Sequence, residues 1–88
     1  MAWQIKLTPN AEKDLVKLDL KAARRIIKYL KEKIAVDPRA FGDRLQGNLR
    51  EFWRYRVGAY RVLAKIQDDQ LLVLVIRIAH RGKVYKQN

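Results

Sequence analysis

The 88-residue sequence contains no cysteine, so it has neither a disulfide framework nor a metal site built on thiolates. It also lacks a long apolar run, because the longest, from Leu71 to Ile76, is far too short to cross a bilayer. The first ten residues alternate between polar and apolar side chains and lack the apolar core of a signal peptide. These absences predict a cytoplasmic protein without a membrane segment.

Acidic residues are scarce in this chain. Nine Asp and Glu oppose twenty Lys and Arg, which gives a formal net charge of +11. Five of the excess positive charges fall in residues 1–48 and six in residues 49–88, so the excess is not confined to a basic tail. A field of this sign and size attracts polyanions. The composition therefore predicts a nucleic acid, the ribosome or an acidic protein as the partner.

The hydrophobic pattern changes its period along the chain, and the length leaves room for one domain over residues 1–88. The predicted elements are, in order, a strand at 3–7, a helix capped by Thr8 with Pro9 in its first turn, a second helix capped by Asp19 that runs to about Val36, a loop at 37–48, and strands at 50–57, 60–66 and 71–78. This β-α-α-β-β-β order predicts an α+β fold, in which a helical hairpin packs on one face of an antiparallel sheet.

Two turns determine the predicted register of the sheet. A two-residue turn at residues 58–59 places Arg56 directly opposite Arg61 on the neighbouring strand. A second two-residue turn at residues 68–69 places Ile76 opposite Arg61. The strand at 71–78 then ends close to the two arginines.

The two faces of the predicted sheet differ in character, because side chains alternate along each strand. One face is apolar and forms the core: Trp53, Tyr55, Val57, Tyr60, Val62, Ala64, Ile66, Val73 and Val75. The other face gathers cations: Arg54, Arg56, Arg61 and Lys65. Directly opposed like charges destabilise a sheet, and the pattern places no acid on this face. Because the arginine fork matches phosphate oxygens, the second face is predicted to bind an anion.

The chain ends in the segment AHRGKVYKQN, which holds the only histidine. His80 and Arg81 come directly after the predicted last strand, and Lys83 and Tyr85 follow them. The strand is therefore expected to deliver this cluster to the rim of the cationic face, near Arg61.

The order of the elements, the segment FWRYRVGAYRVLAKI and the ending VIRIAHRGKVY resemble the RelE/ParE superfamily of toxins from toxin–antitoxin pairs. The resemblance covers almost the whole chain and is strongest to the RelE branch. It implies a ribosome-dependent endoribonuclease that cleaves mRNA in the A site by attack of the 2′-OH. It also implies a RelB-like antitoxin that neutralises the toxin, and a toxin–antitoxin complex that binds operator DNA.

The same resemblance assigns the site residues. The implied catalytic residues are Arg61, Arg81, Tyr85 and His80. The implied RNA-binding residues are Arg54, Arg56, Lys65 and Lys83. Similar toxins carry lysine at the positions of Arg54 and Arg56. Arginine stays protonated in proteins, so proton abstraction is expected from Tyr85 or His80. No metal or other cofactor is expected, because the sequence places no cluster of acids near these residues.

Two other functions are compatible with this sequence. One is a non-enzymatic toxin of the ParE kind that inhibits DNA gyrase. The other is a basic module that binds nucleic acid without cleaving it. The combination of Arg61, Arg81 and Tyr85 favours the endoribonuclease, because similar gyrase-directed toxins generally lack the full basic and tyrosine set.

Overall fold

The computed structural model describes residues 2–82 of the chain, which form two helices and a five-stranded sheet. The strands are β1 (Gln4–Leu7), β2 (Asp43–Arg44), β3 (Trp53–Val57), β4 (Tyr60–Gln67) and β5 (Leu72–His80). The helices are α1 (Pro9–Lys17) and α2 (Leu20–Tyr29), and α2 continues as a π-helical turn over Leu30–Ile34. No helix in this part of the chain is long and apolar enough to span a membrane.

Both predicted helix starts are confirmed. The Thr8 hydroxyl oxygen accepts a hydrogen bond from the Ala11 amide at 3.1 Å, and Pro9 occupies the first helical turn. The Asp19 carboxylate accepts one from the Ala22 amide at 2.8 Å. The second helix is α-helical to Tyr29, and the π-helical turn continues it to Ile34. It therefore ends two residues before the predicted end at about Val36.

The sheet has the strand order β1-β5-β4-β3-β2. The α+β class is confirmed, but the sheet is mixed and not purely antiparallel, since β1 runs parallel to β5. No tight turn joins these two strands, so nothing in the connection requires them to be antiparallel. The sheet also contains β2, a two-residue strand inside the segment that the sequence predicted to be a loop.

The first predicted turn is confirmed and the second is wrong. Arg56 pairs with Arg61 across the β3–β4 turn, where Gly58 adopts a φ of +60°. At the other end of β4 the connection is a 3₁₀ turn over Asp68–Gln70, followed by Leu71 with a left-handed φ of 49°. The connection is two residues longer than predicted, and a bulge on β5 adds one more. Arg61 therefore lies opposite Ala79 and not Ile76.

The core lies between the helices and the predicted apolar face of the sheet. The buried residues from the sheet include Tyr55, Val57, Val62, Ala64, Val73 and Val75, and the helices contribute Ile26, Leu30 and Ile34. The Tyr55 hydroxyl donates a hydrogen bond of 2.7 Å to the Pro38 carbonyl oxygen, which satisfies its one polar atom. Burial raises the pKa of this phenol above its ordinary value. Tyr55 therefore acts as a core residue that also holds the loop after α2.

Helix α1 covers the part of β5 that extends beyond β1. The Thr8 hydroxyl donates to the Ile76 carbonyl oxygen at 2.9 Å, and the Asp14 carboxylate accepts from the Ile78 amide at 2.9 Å. Asp14 also accepts from the Arg77 guanidinium at 2.8 Å. These contacts pair backbone groups that a bare strand edge would expose, and they fix the end of β5 that leads to His80.

Candidate nucleic-acid interface

The exposed face of the sheet presents Arg56 and Arg61 side by side on β3 and β4. The Arg61 guanidinium donates to the carbonyl oxygens of Gly58 at 3.1 Å and Tyr60 at 2.9 Å, which holds it at the β3–β4 turn. Within residues 2–82, neither arginine forms an ion pair with an acid. Arg56 is exposed and Arg61 is half-buried, so an anion in the solvent can reach both side chains.

The other two predicted cations of this face have acidic partners. A guanidinium nitrogen of Arg54 lies 3.2 Å from the Asp43 carboxylate on β2, and Lys65 Nζ lies 3.5 Å from Glu51. The prediction that no acid shares this face is therefore wrong. The physical reason is β2, whose pairing with β3 brings Asp43 opposite Arg54. The Asp43 carboxylate holds the Arg54 guanidinium in place and partly neutralises its charge.

The structure places His80 on the opposite side of the sheet from Arg61. His80 pairs with Tyr60 at the end of β5, and their rings meet edge to face at 5.8 Å between centroids. Tyr60 is on the helix-facing side, so His80 is too, whereas Arg61 and Ala79 face the other way. The Gly82 amide donates to His80 Nδ1 at 3.3 Å, which leaves Nε2 to carry the proton of the neutral ring. His80 is exposed at the sheet end.

Arg81 follows β5 and is held beside the β3–β4 turn. Its amide donates a hydrogen bond of 2.8 Å to the Ala59 carbonyl oxygen. This bond places the Arg81 backbone next to the turn that also fixes the Arg61 guanidinium. Lys83 and Tyr85, the remaining two residues of the predicted site, lie outside the described residues.

A second group of cations, not predicted from the sequence, surrounds Trp53 at the other end of β3. A cavity of about 260 Å³ is lined by Arg39, Arg44, Arg50, Glu51, Trp53, Lys65 and Ile66. The guanidinium carbons of Arg39 and Arg44 lie 5.9 Å and 5.8 Å from the Trp53 ring centre. The basic residues of the 37–48 segment were visible in the sequence, but only the β2–β3 pairing brings them to Trp53.

Potential metal ligands are sparse in the part of the chain that the structure describes. No group of three or more His, Asp or Glu side chains there could hold a metal ion. The acids nearest to the cationic face are each engaged with a single cation.

A family model described as the ParE toxin of the type II toxin–antitoxin system parDE matches residues 5–85. The chain belongs to the RelE/ParE superfamily of type II toxins. This toxin is 26% identical to toxin RelG of Mycobacterium tuberculosis over 87 residues, with 99% of this chain and 100% of RelG covered. It is 29% identical to toxin RelE of the same organism over 86 residues, with coverages of 98% and 89%.

The fold is also that of solved superfamily members. A chain in the crystal structure of the toxin–antitoxin complex RelBE2 from Mycobacterium tuberculosis superposes with a TM-score of 0.88. The identity is 25%, and the match covers 94% of this toxin and 95% of that chain. The resemblance inferred from the sequence is therefore confirmed at the level of the superfamily and of the fold.

The arrangement on the exposed face suits the binding of a phosphodiester. Arg56 and Arg61 on adjacent strands can each donate two hydrogen bonds to phosphate oxygens, and Arg81 starts beside the same turn. Arg54 lies farther along β3, in line with Arg56, and can contact a neighbouring phosphate. This toxin thus presents a row of guanidinium groups along β3, with a cluster at the β3–β4 turn.

Proposed function

We propose that this toxin is a ribosome-dependent endoribonuclease, which cleaves mRNA in the A site by attack of a 2′-OH on the adjacent phosphorus. The observation that supports this proposal most strongly is the Arg56–Arg61 pair, with Arg81 anchored at the adjacent turn. Directly opposed like charges cost folding free energy. A phosphate held between the guanidinium groups would remove that cost and gain charge-assisted hydrogen bonds.

Each cation has a role in this proposal. Arg61 and Arg81 stabilise the negative charge that accumulates on the phosphoryl oxygens in the transition state. Arg56 holds the ground-state phosphate, and Arg54, oriented by Asp43, contacts the backbone next to it. Lys65 and Lys83 add weaker contacts to the RNA backbone.

The proton of the 2′-OH must pass to another group. Arginine cannot accept it, so the proposed acceptor is Tyr85 or His80. The position of His80 on the helix-facing side argues for Tyr85 in this role. His80 then remains the candidate for proton donation to the 5′-oxygen from the sheet end. The scarcity of acid–base groups explains the dependence on the ribosome, since positioning of the mRNA can supply a large part of the rate enhancement.

The partner that controls this activity is proposed to be a RelB-like antitoxin encoded with the toxin. The RelBE2 structure is a toxin–antitoxin complex, which supports the same kind of assembly here. A net charge of +11 favours an antitoxin with acidic side chains. We propose a cytoplasmic location for the pair and operator DNA as the ligand of the complex.

Inhibition of DNA gyrase is the second candidate function. The specific observation in its favour is the family model, whose description names the ParE toxin of parDE systems. A gyrase inhibitor needs a binding surface but no proton acceptor and no transition-state donor. The two functions therefore predict different effects of conservative changes at Arg81 and Tyr85.

Two assays with the purified toxin distinguish these functions. The first follows cleavage of labelled mRNA on ribosomes programmed with an empty A site. The second follows supercoiling of relaxed plasmid by gyrase. Cleavage with unaffected supercoiling supports the endoribonuclease. Loss of supercoiling without cleavage would replace it with the gyrase inhibitor.

A further inference from the structure

The cavity at Trp53 has the features of a second nucleic-acid site, separate from the arginines at the β3–β4 turn. Lys65, on its rim, lies four residues along β4 from Arg61, which is about 13 Å at the usual rise of a strand. The cavity of 260 Å³ is smaller than the pockets of about 300–1,000 Å³ that enclose a drug-sized molecule. It therefore has room for a single base or phosphate group and not for a folded RNA element.

The aromatic wall of this cavity is held rigidly. The Trp53 indole NH donates a hydrogen bond of 2.7 Å to the Phe41 carbonyl oxygen, which fixes the plane of the ring. Gly42 packs so closely under the ring that a Cβ there would collide with the Arg54 carbonyl oxygen and contact the indole nitrogen. Arg39 is fixed over the ring by two hydrogen bonds to Asp68, of 2.7 Å and 2.9 Å. The ring and one guanidinium are thus positioned before any ligand arrives.

The cations of the cavity differ in their availability. Arg39 is committed to Asp68, and Lys65 is paired with Glu51 on the rim. Arg44 and Arg50, in contrast, make no ion pair with any acid between residues 2 and 82, and both are exposed. Two available guanidinium groups beside an aromatic ring are the combination by which proteins hold single-stranded nucleic acid. The cations contact the phosphates, and a base stacks on the ring or on a guanidinium plane.

We propose that this cavity is an accessory site for single-stranded RNA, in which Arg44 and Arg50 contact the backbone and one base stacks against the Trp53–Arg39 wall. The choice of RNA as the ligand rests on the proposed endoribonuclease function. Alternation along β3 places the Trp53 ring on the helix-facing side of the sheet and Arg54 and Arg56 on the other face, so RNA in the cavity reaches the arginines only around the rim at Lys65. The site would then add affinity for single-stranded RNA without contributing to the arginine cluster at the turn.

Tryptophan fluorescence measures occupancy of this cavity directly. The chain has two tryptophans, so the Trp3→Phe variant leaves Trp53 as its only indole. In that background we expect a short single-stranded oligoribonucleotide to quench Trp53, because a stacked base contacts the ring. An abasic oligomer of equal length and charge should quench far less. Equal quenching by the abasic oligomer, or no quenching by either, would overturn base stacking in the cavity.

Charge-removing variants test the phosphate contacts. We expect Arg44→Ala combined with Arg50→Ala to raise the Kd for the oligoribonucleotide about tenfold or more, within the range usual for contacts to single-stranded nucleic acid. The matched control combines Arg24→Ala with Lys28→Ala, which remove two exposed charges from α2. If the control raises the Kd as much as the cavity variant, the effect is general electrostatics and the accessory site is refuted.

The same experiment separates this proposal from the proposed activity. Arg81→Ala should keep the fluorescence response, because Arg81 lies at the other end of the strands. If the oligoribonucleotide quenches Trp53 normally but the wild-type toxin cleaves no mRNA, the accessory site is supported and the proposed endoribonuclease function is refuted. On programmed ribosomes, photocrosslinking from 4-thiouridine in mRNA tests whether the occupant is the message. If the message crosslinks to the toxin only outside the cavity residues, the message does not occupy this site and the proposal is overturned.

Discussion

The Arg56–Arg61 pair lowers the stability of the fold but favours the binding of an anion. The two arginines face each other across β3 and β4 without an acid between them in the described part of the chain. A cross-strand pair of opposite charges is worth about 0.2–1 kcal/mol relative to a neutral pair, and a like-charged pair is unfavourable. The fold therefore tolerates a cost at the position where the proposed function needs two guanidinium groups.

This conflict predicts opposite effects of one substitution. Arg56→Glu should raise the free energy of unfolding by about 0.5–1 kcal/mol, because it converts the repulsive pair into an attractive one. It should also weaken binding to ribosomes, because a carboxylate would face the phosphate. Urea denaturation and ribosome co-sedimentation measure the two quantities. Arg24→Glu, with the same charge change on exposed α2, should weaken binding less. Stabilisation without weaker binding would exclude Arg56 from the interface.

Tyr85 provides the second prediction at the scale of the residue. If its hydroxyl accepts the proton of the 2′-OH, Tyr85→Phe should lower the single-turnover cleavage rate by about 10²-fold or more, the usual contribution of general base catalysis. Stacking of the ring would survive the change, so ribosome binding should stay close to the wild-type value. A Tyr85→Phe toxin that cleaves at the wild-type rate would move the acceptor role to His80 or to the ribosome.

The sequence predicted the candidate residues better than their surroundings. Alternation along β3 and β4 was enough to place Arg54, Arg56 and Arg61 on one face, because that period is a direct consequence of strand geometry. The acid beside Arg54 was not predicted, since β2 has only two residues and no pattern of its own. The side occupied by His80 depends on the bulge in β5, which shifts the register by one residue and has no sequence marker here.

Among the elements, α1 and β5 are joined by one carboxylate. Asp14 is mostly buried and accepts hydrogen bonds from the Ile78 amide and the Arg77 guanidinium. Burial alone would raise the pKa of Asp14, but the hydrogen bonds from Arg77 and Ile78, with the charges of Arg77 and Lys17, hold it below its usual value. The ionised form is therefore favoured more strongly in the folded protein than in the unfolded chain.

This shift gives a pH-dependent contribution to stability. Because the pKa of Asp14 is lowered by folding, its contribution is complete above the unfolded pKa of about 3.9 and is lost as the pH falls toward the folded value. Asp14→Asn should lower the free energy of unfolding by about 1.5–3 kcal/mol at pH 7, as expected for hydrogen bonds to a charged group. Denaturant titrations should show the difference from wild type shrinking below pH ~4.

A matched control for this prediction is Asp69→Asn. Asp69 is exposed and forms no side-chain hydrogen bond or ion pair with another residue of the 2–82 region. Its substitution should change stability little at either pH. An Asp14→Asn variant that loses the same stability at pH 3 as at pH 7 would show that its effect comes from packing and not from ionisation.

The loop before β3 supplies a prediction about backbone packing. Gly42 and Gly47 both have positive φ angles, of 69° and 66°, so alanine at either position costs about 1 kcal/mol in backbone strain. A Cβ at Gly47 meets nothing within 4 Å, whereas one at Gly42 meets the Arg54 carbonyl oxygen and the Tyr55 and Trp53 rings. Gly42→Ala should therefore be less stable than Gly47→Ala by about 1–3 kcal/mol, the usual cost of overpacking.

Thermal unfolding of the two alanine variants measures that difference, because the shared backbone strain cancels between them. Equal melting temperatures would mean that the loop moves away from β3 at little cost. The wall of the accessory cavity would then be less rigid than its hydrogen bonds indicate.

The elements show why part of the fold was predictable. The caps at Thr8 and Asp19 and the turn at residues 58–59 are local, because a few side chains and one glycine determine each of them. The parallel pairing of β1 with β5 joins residues nearly seventy positions apart in the sequence, as in the pair Gln4 and Leu72. Such a pairing depends on how the whole sheet buries its apolar face and not on any local pattern.

At the scale of the whole molecule, positive charge is organised along the sheet. The Arg56–Arg61 pair occupies the end near the β3–β4 turn, and the cations around Trp53 occupy the other end. Arg54 lies between them along β3, on the face of Arg56, whereas the Trp53 ring is on the helix-facing side. A net charge of +11 thus includes two basic regions that suit a polyanion and would equally attract an acidic antitoxin. The same surface can therefore serve the proposed activity and its inhibition.

The central proposal is that the guanidinium groups at the β3–β4 turn bind mRNA and stabilise the transition state of its cleavage. Single-turnover cleavage of mRNA on programmed ribosomes, by wild-type toxin and by Arg81→Ala, tests it most directly. The rate should fall by about 10²–10³-fold, the usual loss for one transition-state donor, while ribosome binding falls far less. Arg24→Ala, which removes an exposed arginine from α2, should cleave like the wild type. Cleavage by Arg81→Ala at the wild-type rate would contradict the proposal.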